Sequence, residues 1–246
     1  SMETKYIHRE LSAVIEEAYR YFSVITVTGP RQSGKTTLLR NLFSHLPYYS
    51  LENLDVRSFA ENDPVAFLNQ HTEGMILDEV HNAPNLLSYI QGMVDNDADQ
   101  RFILSGSSQF AMLKKVTQSL AGRTAVFELL PLSYSEIREQ VTDTPLDNLL
   151  FNGFYPAIYS GRNIPKFLYP AYMKTYLDKD VRDLLQIKDM MQFHTFIRLC
   201  AGRIGSLFKA SELANEIGVS SHTVTAWLSV LQASYICLLY TSDAAD

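Results

Sequence analysis

Eight consecutive residues, Gly29-Pro30-Arg31-Gln32-Ser33-Gly34-Lys35-Thr36, fit the pattern G-x-x-x-x-G-K-[S/T], and nothing else in the chain constrains the fold as tightly. A loop of this type holds phosphate groups only where a strand runs into it and a helix leaves it. Both flanks are present. The β-branched run Val24-Ile25-Thr26-Val27-Thr28 leads in, and Thr37-Leu38-Leu39-Arg40-Asn41-Leu42-Phe43 leads out with helical character. Glycines let the backbone turn tightly and aim successive N–H groups inward as an anion nest. The helix behind the loop adds the positive end of its dipole. Lys35 is expected to reach the outer phosphates of a nucleotide, and the Thr36 hydroxyl to ligate Mg²⁺. The phosphate-contacting residues are expected to be Gly29, Pro30, Arg31, Gln32, Ser33, Gly34, Lys35, Thr36 and Thr37.

A second motif supplies the chemistry that a phosphate loop lacks. Gly74-Met75-Ile76-Leu77-Asp78-Glu79 is a short apolar run ending in two carboxylates. Such a run reads as a buried parallel strand, and open α/β sheets bind ligands at the C-terminal ends of their strands. Asp78, 43 positions beyond Lys35, is expected to hold Mg²⁺ with Thr36. Glu79 is expected to polarise the attacking water. A further strand, Arg101-Phe102-Ile103-Leu104, ends in Ser105-Gly106-Ser107-Ser108. Ser107 is read as a polar sensor of the outer phosphate, although Ser107 or Ser108 as a helix N-cap accounts for the same residues. Hydrolysis often uses an arginine against transition-state charge. Arg123, in Leu120-Ala121-Gly122-Arg123, is the first choice, with Arg182 and Arg203 as others. The sequence leaves open whether it acts within the chain or on a neighbour. The expected catalytic set is therefore Lys35, Glu79, Ser107 and Arg123.

Strands are expected at about 23–28, 47–51, 74–78, 101–105 and 124–129, with helices between them. That alternation implies an α/β fold with a parallel sheet and flanking helices. An amphipathic helix over about 6–21 would place Leu11, Val14, Ile15 and Ala18 on one face. Asp63-Pro64 suits a helix start, and Ser133-Tyr134-Ser135-Glu136 has capping-box spacing. After Pro131 the period changes, and a long helical stretch is expected over about 166–188. Its charged run Asp178-Lys179-Asp180-Val181-Arg182-Asp183 reads as a solvated face with pairs such as Asp178–Arg182. The segment from Phe208 to Trp227 reads as helix-turn-helix, with Ala214 for close packing, Gly218 at the turn, Ser220 as cap and Val219 and Val224 in the core. The second of its helices opens on Ser221, His222, Thr223 and Thr225, without lysine or arginine, so DNA contact through 208–233 and a purely scaffolding role both stay open. The domain reading is 1–140 for a nucleotide-binding core and 141–236 for a helical and helix-turn-helix region.

With 246 residues, 46% of them hydrophobic, the chain can bury a full core and is expected to form two domains. No run of 18 apolar residues exists to span a membrane, and Ser1-Met2-Glu3-Thr4-Lys5 is no apolar signal segment. Two cysteines, Cys200 and Cys237, give no disulfide framework and fit a reducing cytoplasm, where the chain is expected to act. A net charge of −6 gives no global field that attracts nucleic acid. The last ten residues, 237–246, read as the translation of a transposase sequencing adapter, so the natural frame is expected to stop at Ile236 and the chain to be a fragment.

In combination these residues resemble a widespread prokaryotic AAA-type P-loop ATPase family, in which an AAA core precedes a helical and winged-helix domain of unknown function. The likeness runs through Gly29 to Leu39, Leu77-Asp78-Glu79-Val80-His81, Ser105 to Ser108, Leu120 to Arg123, Pro131-Leu132-Ser133, Tyr176 to Leu184, Ser211-Glu212-Leu213-Ala214 and Trp227-Leu228. It implies an AAA-like parallel sheet followed by an α-helical, winged-helix-type domain, and binding and hydrolysis of ATP with Mg²⁺. Lys35, Thr36, Asp78 and Glu79 would take the roles given above. The expected function is a slow nucleotide switch, completed by a neighbouring copy or a protein activator, in which hydrolysis repositions the helical and winged-helix region and coupling to DNA stays open. The rivals are a phosphotransferase, for which no acceptor motif is visible, and a DNA-binding or protein-interaction module in which nucleotide is a structural ligand.

Overall fold

The computed structural model describes residues 5–97, 99–107, 116, 118–177 and 189–233. Five parallel strands form one sheet: β1 (Val24–Thr28), β2 (Tyr48–Ser50), β3 (Gly74–Asp78), β4 (Arg101–Gly106) and β5 (Thr124–Glu128), in the spatial order β2-β3-β4-β1-β5. These match the five expected strands. β1 and β3 are buried along their whole length, as the uninterrupted apolar and β-branched runs require of a sheet covered on both faces. Side chains alternate across it. Met75, Leu77, Phe102 and Leu104 enter one core, while Ile76 and Ile103 enter the other. The first core is closed by α3 (Leu54–Asn62), α4 (Pro64–Leu68) and α5 (Leu86–Asn96), through Ala60, Phe67, Leu68, Leu86, Leu87, Ile90 and Val94. The second is closed by α1 (Leu11–Tyr19) and α2 (Lys35–Leu42), through Ile15, Leu38 and Leu39.

Local caps fall where the sequence places them. Asp63 accepts from the Ala66 N–H, with Pro64 at the first helical position. Ser133 and Glu136 form a reciprocal capping box at the start of α6 (Tyr134–Val141). The first helix differs from expectation. It starts at Leu11 rather than near residue 6, Val14 is 51% exposed, and Ser12 is buried beside Ile15. Ile7 belongs to an extended lead-in and packs with Leu132, Ile137, Val141 and Leu149.

Two compact units emerge, residues 1–167 and 168–246. The change of period near Pro131 marks the end of the sheet rather than this division. α6, α7 (Leu146–Asn152) and α8 (Pro156–Tyr159) share the small Ile7 core and so stay with the first unit. α9 (Pro165–Tyr172) contains Pro170, which lacks the backbone donor a helix interior uses, and the chain continues in a wider π turn over Met173–Leu177. The remainder of the expected long helix, with the Asp178–Arg182 pair, lies outside the described residues, as do residues 237–246.

In the second unit, α10 (Met190–Ala201), α11 (Ala210–Ile217) and α12 (Ser221–Ala233) enclose Phe193, Phe196, Leu213, Ala214, Val224, Trp227 and Leu231. The Trp227 ring stands 5.6 Å from Phe193 and 5.5 Å from Phe196. Gly218 ends α11 in the left-handed conformation, and the Ser220 hydroxyl accepts from the Thr223 N–H. A short turn at Gly218–Ser220 thus joins α11 to α12. Among the described residues, no helix is long and apolar enough to cross a membrane.

Candidate nucleotide site

Parallel strands bring the C-terminal ends of β1, β3 and β4 to one edge, and the two motifs meet there. Thr28 lies in register with Gly106 and Leu77 with Leu104, so the phosphate loop, Asp78 and the Ser105–Ser107 turn converge without any long-range design in the sequence. The loop is tightly seated. Gly29 has φ +149°, and a Cβ there would stand 2.2 Å from the Leu129 carbonyl oxygen, so only glycine fits where β1 leaves beside β5. Gln32 has φ +62° and Glu79 φ +55°; among the described residues these are the two non-glycines with positive φ, and both sit in this site. Such strain persists where surrounding structure fixes it, and it clusters at functional positions.

Lys35 Nζ lies inside the loop, donating to the carbonyls of Gly29 at 2.9 Å and Pro30 at 2.8 Å. Burial pushes its pKa down from 10.5 to about 8, against the opposing pull of Glu79 and Asp78. Ser33 is fully buried, and its Oγ has no hydrogen-bond partner. Arg31 reaches Glu52 at 3.9 Å.

Asp78 is the polar hub. Thr36 Oγ1 donates to its Oδ2 at 2.6 Å, Tyr48 Oη donates to the same oxygen at 2.7 Å, Ser105 Oγ donates to Oδ1, and the Glu79 N–H reaches Oδ1 at 3.1 Å. Burial and the Asp78 hydrogen bond both push the Tyr48 hydroxyl pKa upward, so it remains a donor. Glu79 Oε2 accepts from the Ser107 N–H at 3.2 Å and Ser107 Oγ at 3.0 Å. His81 Nδ1 is 3.2 Å from the same oxygen but in no hydrogen bond, and burial lowers the His81 pKa, leaving the ring neutral at pH 7.

The structure thus brings together Lys35, Thr36, Asp78, Glu79 and Ser107. It does not bring Arg123 to them. Arg123 precedes β5, and its carbonyl accepts from the Val24 N–H, at the opposite edge of the sheet. Strands of five residues separate that edge from the loop, roughly 16 Å. There its guanidinium pairs with Asp95 at 2.6 and 2.8 Å. Service to this chain's own loop is excluded by that position. Arg203 lies in the second unit and pairs with Glu216, whereas Arg182 and Ser108 lie outside the described residues.

Three participants escaped the sequence reading. Tyr48 and His81 carry no spacing signal and are found only once β2 lies beside β3 and the turn after Glu79 is closed. Arg9 is the third. Its buried guanidinium donates to the carbonyls of Ser33 at 2.7 Å, Leu130 at 2.7 Å and Pro131 at 3.3 Å, and to Glu136 Oε1 at 3.0 Å. One side chain thereby ties the phosphate loop to the strand exit and the capping box behind it. Arg9→Met would leave Glu136 charged and buried. It is expected to lower the unfolding free energy in urea by about 3–5 kcal/mol. A loss below about 1 kcal/mol would make the pair no better than a surface ion pair.

The donor set fits a hard divalent ion. Thr36 Oγ1 and Asp78 Oδ2 are neighbouring oxygens, and Mg²⁺ is ordinarily held by one or two protein oxygens together with substrate phosphates. Among the described residues, no group of three or more His, Cys, Asp or Glu able to hold a metal occurs.

Comparison with known proteins agrees with this architecture. A family model described as an AAA domain matches residues 21–138, and one described as a domain of unknown function matches 143–242. An uncharacterized protein of Mycobacterium tuberculosis is 30% identical over 232 residues, covering 91% of this chain and 51% of its own length. An uncharacterized protein of Methanocaldococcus jannaschii is 22% identical over 246 residues, covering 87% of this chain and 55% of its own. The chain therefore spans about half the length of these relatives. Among solved structures, a Walker-type ATPase of Pyrococcus abyssi superposes with a TM-score of 0.60 at 13% identity, covering 95% of this chain and 92% of its own, a likeness of fold.

Proposed function

We propose that this chain, an AAA-type protein with a P-loop fold and a C-terminal domain of unknown function, binds Mg–ATP at the edge of its sheet and hydrolyses it slowly to ADP and phosphate. The observation that carries the reading is the convergence of Lys35, the Thr36–Asp78 pair and the Glu79–Ser107 pair on one edge. The loop N–H groups and the start of α2 cradle the phosphates. Lys35 exchanges its resting carbonyl partners for phosphate oxygens. Thr36 and Asp78 would hold Mg²⁺, which supplies charge neutralisation of the phosphates. Tyr48 and Ser105 fix the Asp78 carboxylate so that the Oδ2 lone pair now taken by the Thr36 hydroxyl keeps its direction. Glu79 accepts the proton of the attacking water. Ser107, which now holds that carboxylate, is positioned to exchange it for an outer-phosphate oxygen.

Nucleotide state would then be read out by the helix-turn-helix unit. Its geometry keeps DNA as a second partner reading, but α12 carries no lysine or arginine, so phosphate contacts would have to come from elsewhere. The test is phosphate release from Mg–ATP by the unmodified chain, with and without EDTA and with and without duplex DNA. ADP and free phosphate in equal amounts, abolished by EDTA, are expected. ATP bound without turnover would favour nucleotide as a structural ligand, and stimulation by duplex DNA would assign the second unit to nucleic acid.

A further inference from the structure

Every acceptor position of Asp78 is filled at rest. An ionised carboxylate has two oxygens and about four lone-pair sites. Thr36 Oγ1 at 2.6 Å and Tyr48 Oη at 2.7 Å occupy Oδ2, while Ser105 Oγ and the Glu79 N–H, at 3.1 Å, occupy Oδ1. Only Thr36 among these donors belongs to the phosphate loop; the others stand on β2, on β4 and on the turn after β3. The sheet register places Ser105 there. Leu77 pairs with Leu104, so Asp78 and Ser105 leave their strands side by side, and Val27 flanks Ser105 on β1. Ser105 thus lies between the strand that carries the carboxylate and the strand that enters the phosphate loop. It is fully buried, which keeps bulk water from competing for its hydroxyl. The carboxylate is therefore open to a cation through Oδ2 alone, at the position that Thr36 now fills, and a grip by both oxygens is closed off.

We propose that Ser105 determines which divalent ion the site accepts: by holding Asp78 Oδ1 it restricts the carboxylate to one oxygen and so selects Mg²⁺ over Ca²⁺. The inference rests on the Mg–ATP reading above and adds the choice of ion and the residue that makes it. The two ions differ in what they ask of a carboxylate. Mg²⁺ needs near-ideal octahedral geometry and takes single oxygens beside waters and phosphates, whereas Ca²⁺ takes roughly six to eight oxygens and often both of one carboxylate. A carboxylate limited to Oδ2 meets the first demand and fails the second. Ser105 touches neither nucleotide nor ion in this account; it is a positioning residue that acts through Asp78. Tyr48 acts on the other oxygen, where it fixes the direction of Oδ2 for either ion. The two hydroxyls therefore have separable effects, Ser105 on which ion is preferred and Tyr48 on how tightly either is held. Removing donors that orient a metal-binding carboxylate typically changes metal affinity by about 10-fold to 100-fold.

The experiment measures calorimetric binding of a non-hydrolysable ATP analogue with Mg²⁺, with Ca²⁺ and with EDTA, each metal at a concentration that saturates the analogue. The unmodified chain is compared with Ser105→Ala, Ser105→Thr and Tyr48→Phe. The unmodified chain is expected to bind the analogue about 10-fold or more tightly with Mg²⁺ than with Ca²⁺. Ser105→Ala is expected to shrink that preference by about 10-fold, chiefly through a gain with Ca²⁺ as Oδ1 comes free. Ser105→Thr keeps a hydroxyl and keeps the preference. Tyr48→Phe is expected to weaken binding with both ions by about 10-fold and to leave their ratio standing. An unchanged ratio in Ser105→Ala, or an equal loss with both ions, would overturn the proposal and make the Ser105 contact a brace between strand ends. So would a change of ratio in Tyr48→Phe as large as that in Ser105→Ala. Equal affinities with Mg²⁺ and Ca²⁺ in the unmodified chain would overturn it too, without recourse to any variant. In all these results the analogue is still held better with metal than with EDTA, which leaves the ATP reading in place. An analogue bound by the unmodified chain no better with either ion than with EDTA would remove the Mg–ATP reading and this inference together.

Discussion

Phosphate release from Mg–ATP is expected to fall by about 100-fold to 10,000-fold in Glu79→Gln, the range spanned by loss of a positioned general base. ATP binding should be nearly unchanged. The amide has the shape of the carboxylate, and its oxygen can still accept from the Ser107 N–H and hydroxyl, so the left-handed turn at φ +55° keeps its local partners. What the amide cannot do is take a proton from water. The variant therefore separates holding nucleotide from cleaving it, and phosphate release together with direct measurement of ATP affinity reads both. Turnover close to that of the unmodified chain would mean that the contact between Glu79 and Ser107 is structural and that the water is activated otherwise. Equal loss of binding and turnover would point to damage of the β3 exit rather than to lost chemistry.

The parts of the site that the sequence discloses are those carried by short-range pattern. The loop, the strand that enters it and the carboxylates that end β3 are each continuous segments, and a parallel sheet delivers strand ends to one edge whatever the order of its strands. Lys35, Thr36, Asp78 and Glu79 meet for that reason. The same rule was available for Arg123 and decides against its service to this chain's own loop: a residue just before an expected strand at 124–129 starts that strand, so it lies at the edge away from the loop. Arg9 was not available in this way. Its partners at residues 33, 130, 131 and 136 are 24 to 127 positions distant, and most are backbone carbonyls, which have no sequence signature. Val14 misled because the spacing of Leu11, Val14, Ile15 and Ala18 is helical on either side of the stripe. Only the packing of Ile15 into the core and the exposure of Val14 fix which edge faces inward.

Lys35→Met should weaken Mg–ATP binding by about 100-fold or more, close to 3 kcal/mol at 1.4 kcal/mol per tenfold. The apo protein should respond in the opposite sense. The ammonium is buried in the loop with a pKa pushed from 10.5 to about 8, so the folded state carries a cost for the charged form. That cost is fully present below pH 8, where folded and unfolded chains both hold the proton. It is relieved as pH rises from about 8 toward 10.5, where only the unfolded chain does. Stability of the apo protein is therefore expected to gain a rising component over that window, and Lys35→Met should lack it. Nucleotide reverses the balance, because phosphate oxygens favour the ammonium. At pH 8 binding should take up a fraction of a proton, visible as buffer-dependent heats in calorimetry, and affinity should decline as pH rises beyond that. Binding with no proton uptake at pH 8, or an affinity unaffected by Lys35→Met, would place the phosphates away from this lysine and break the link between the loop and its proposed ligand.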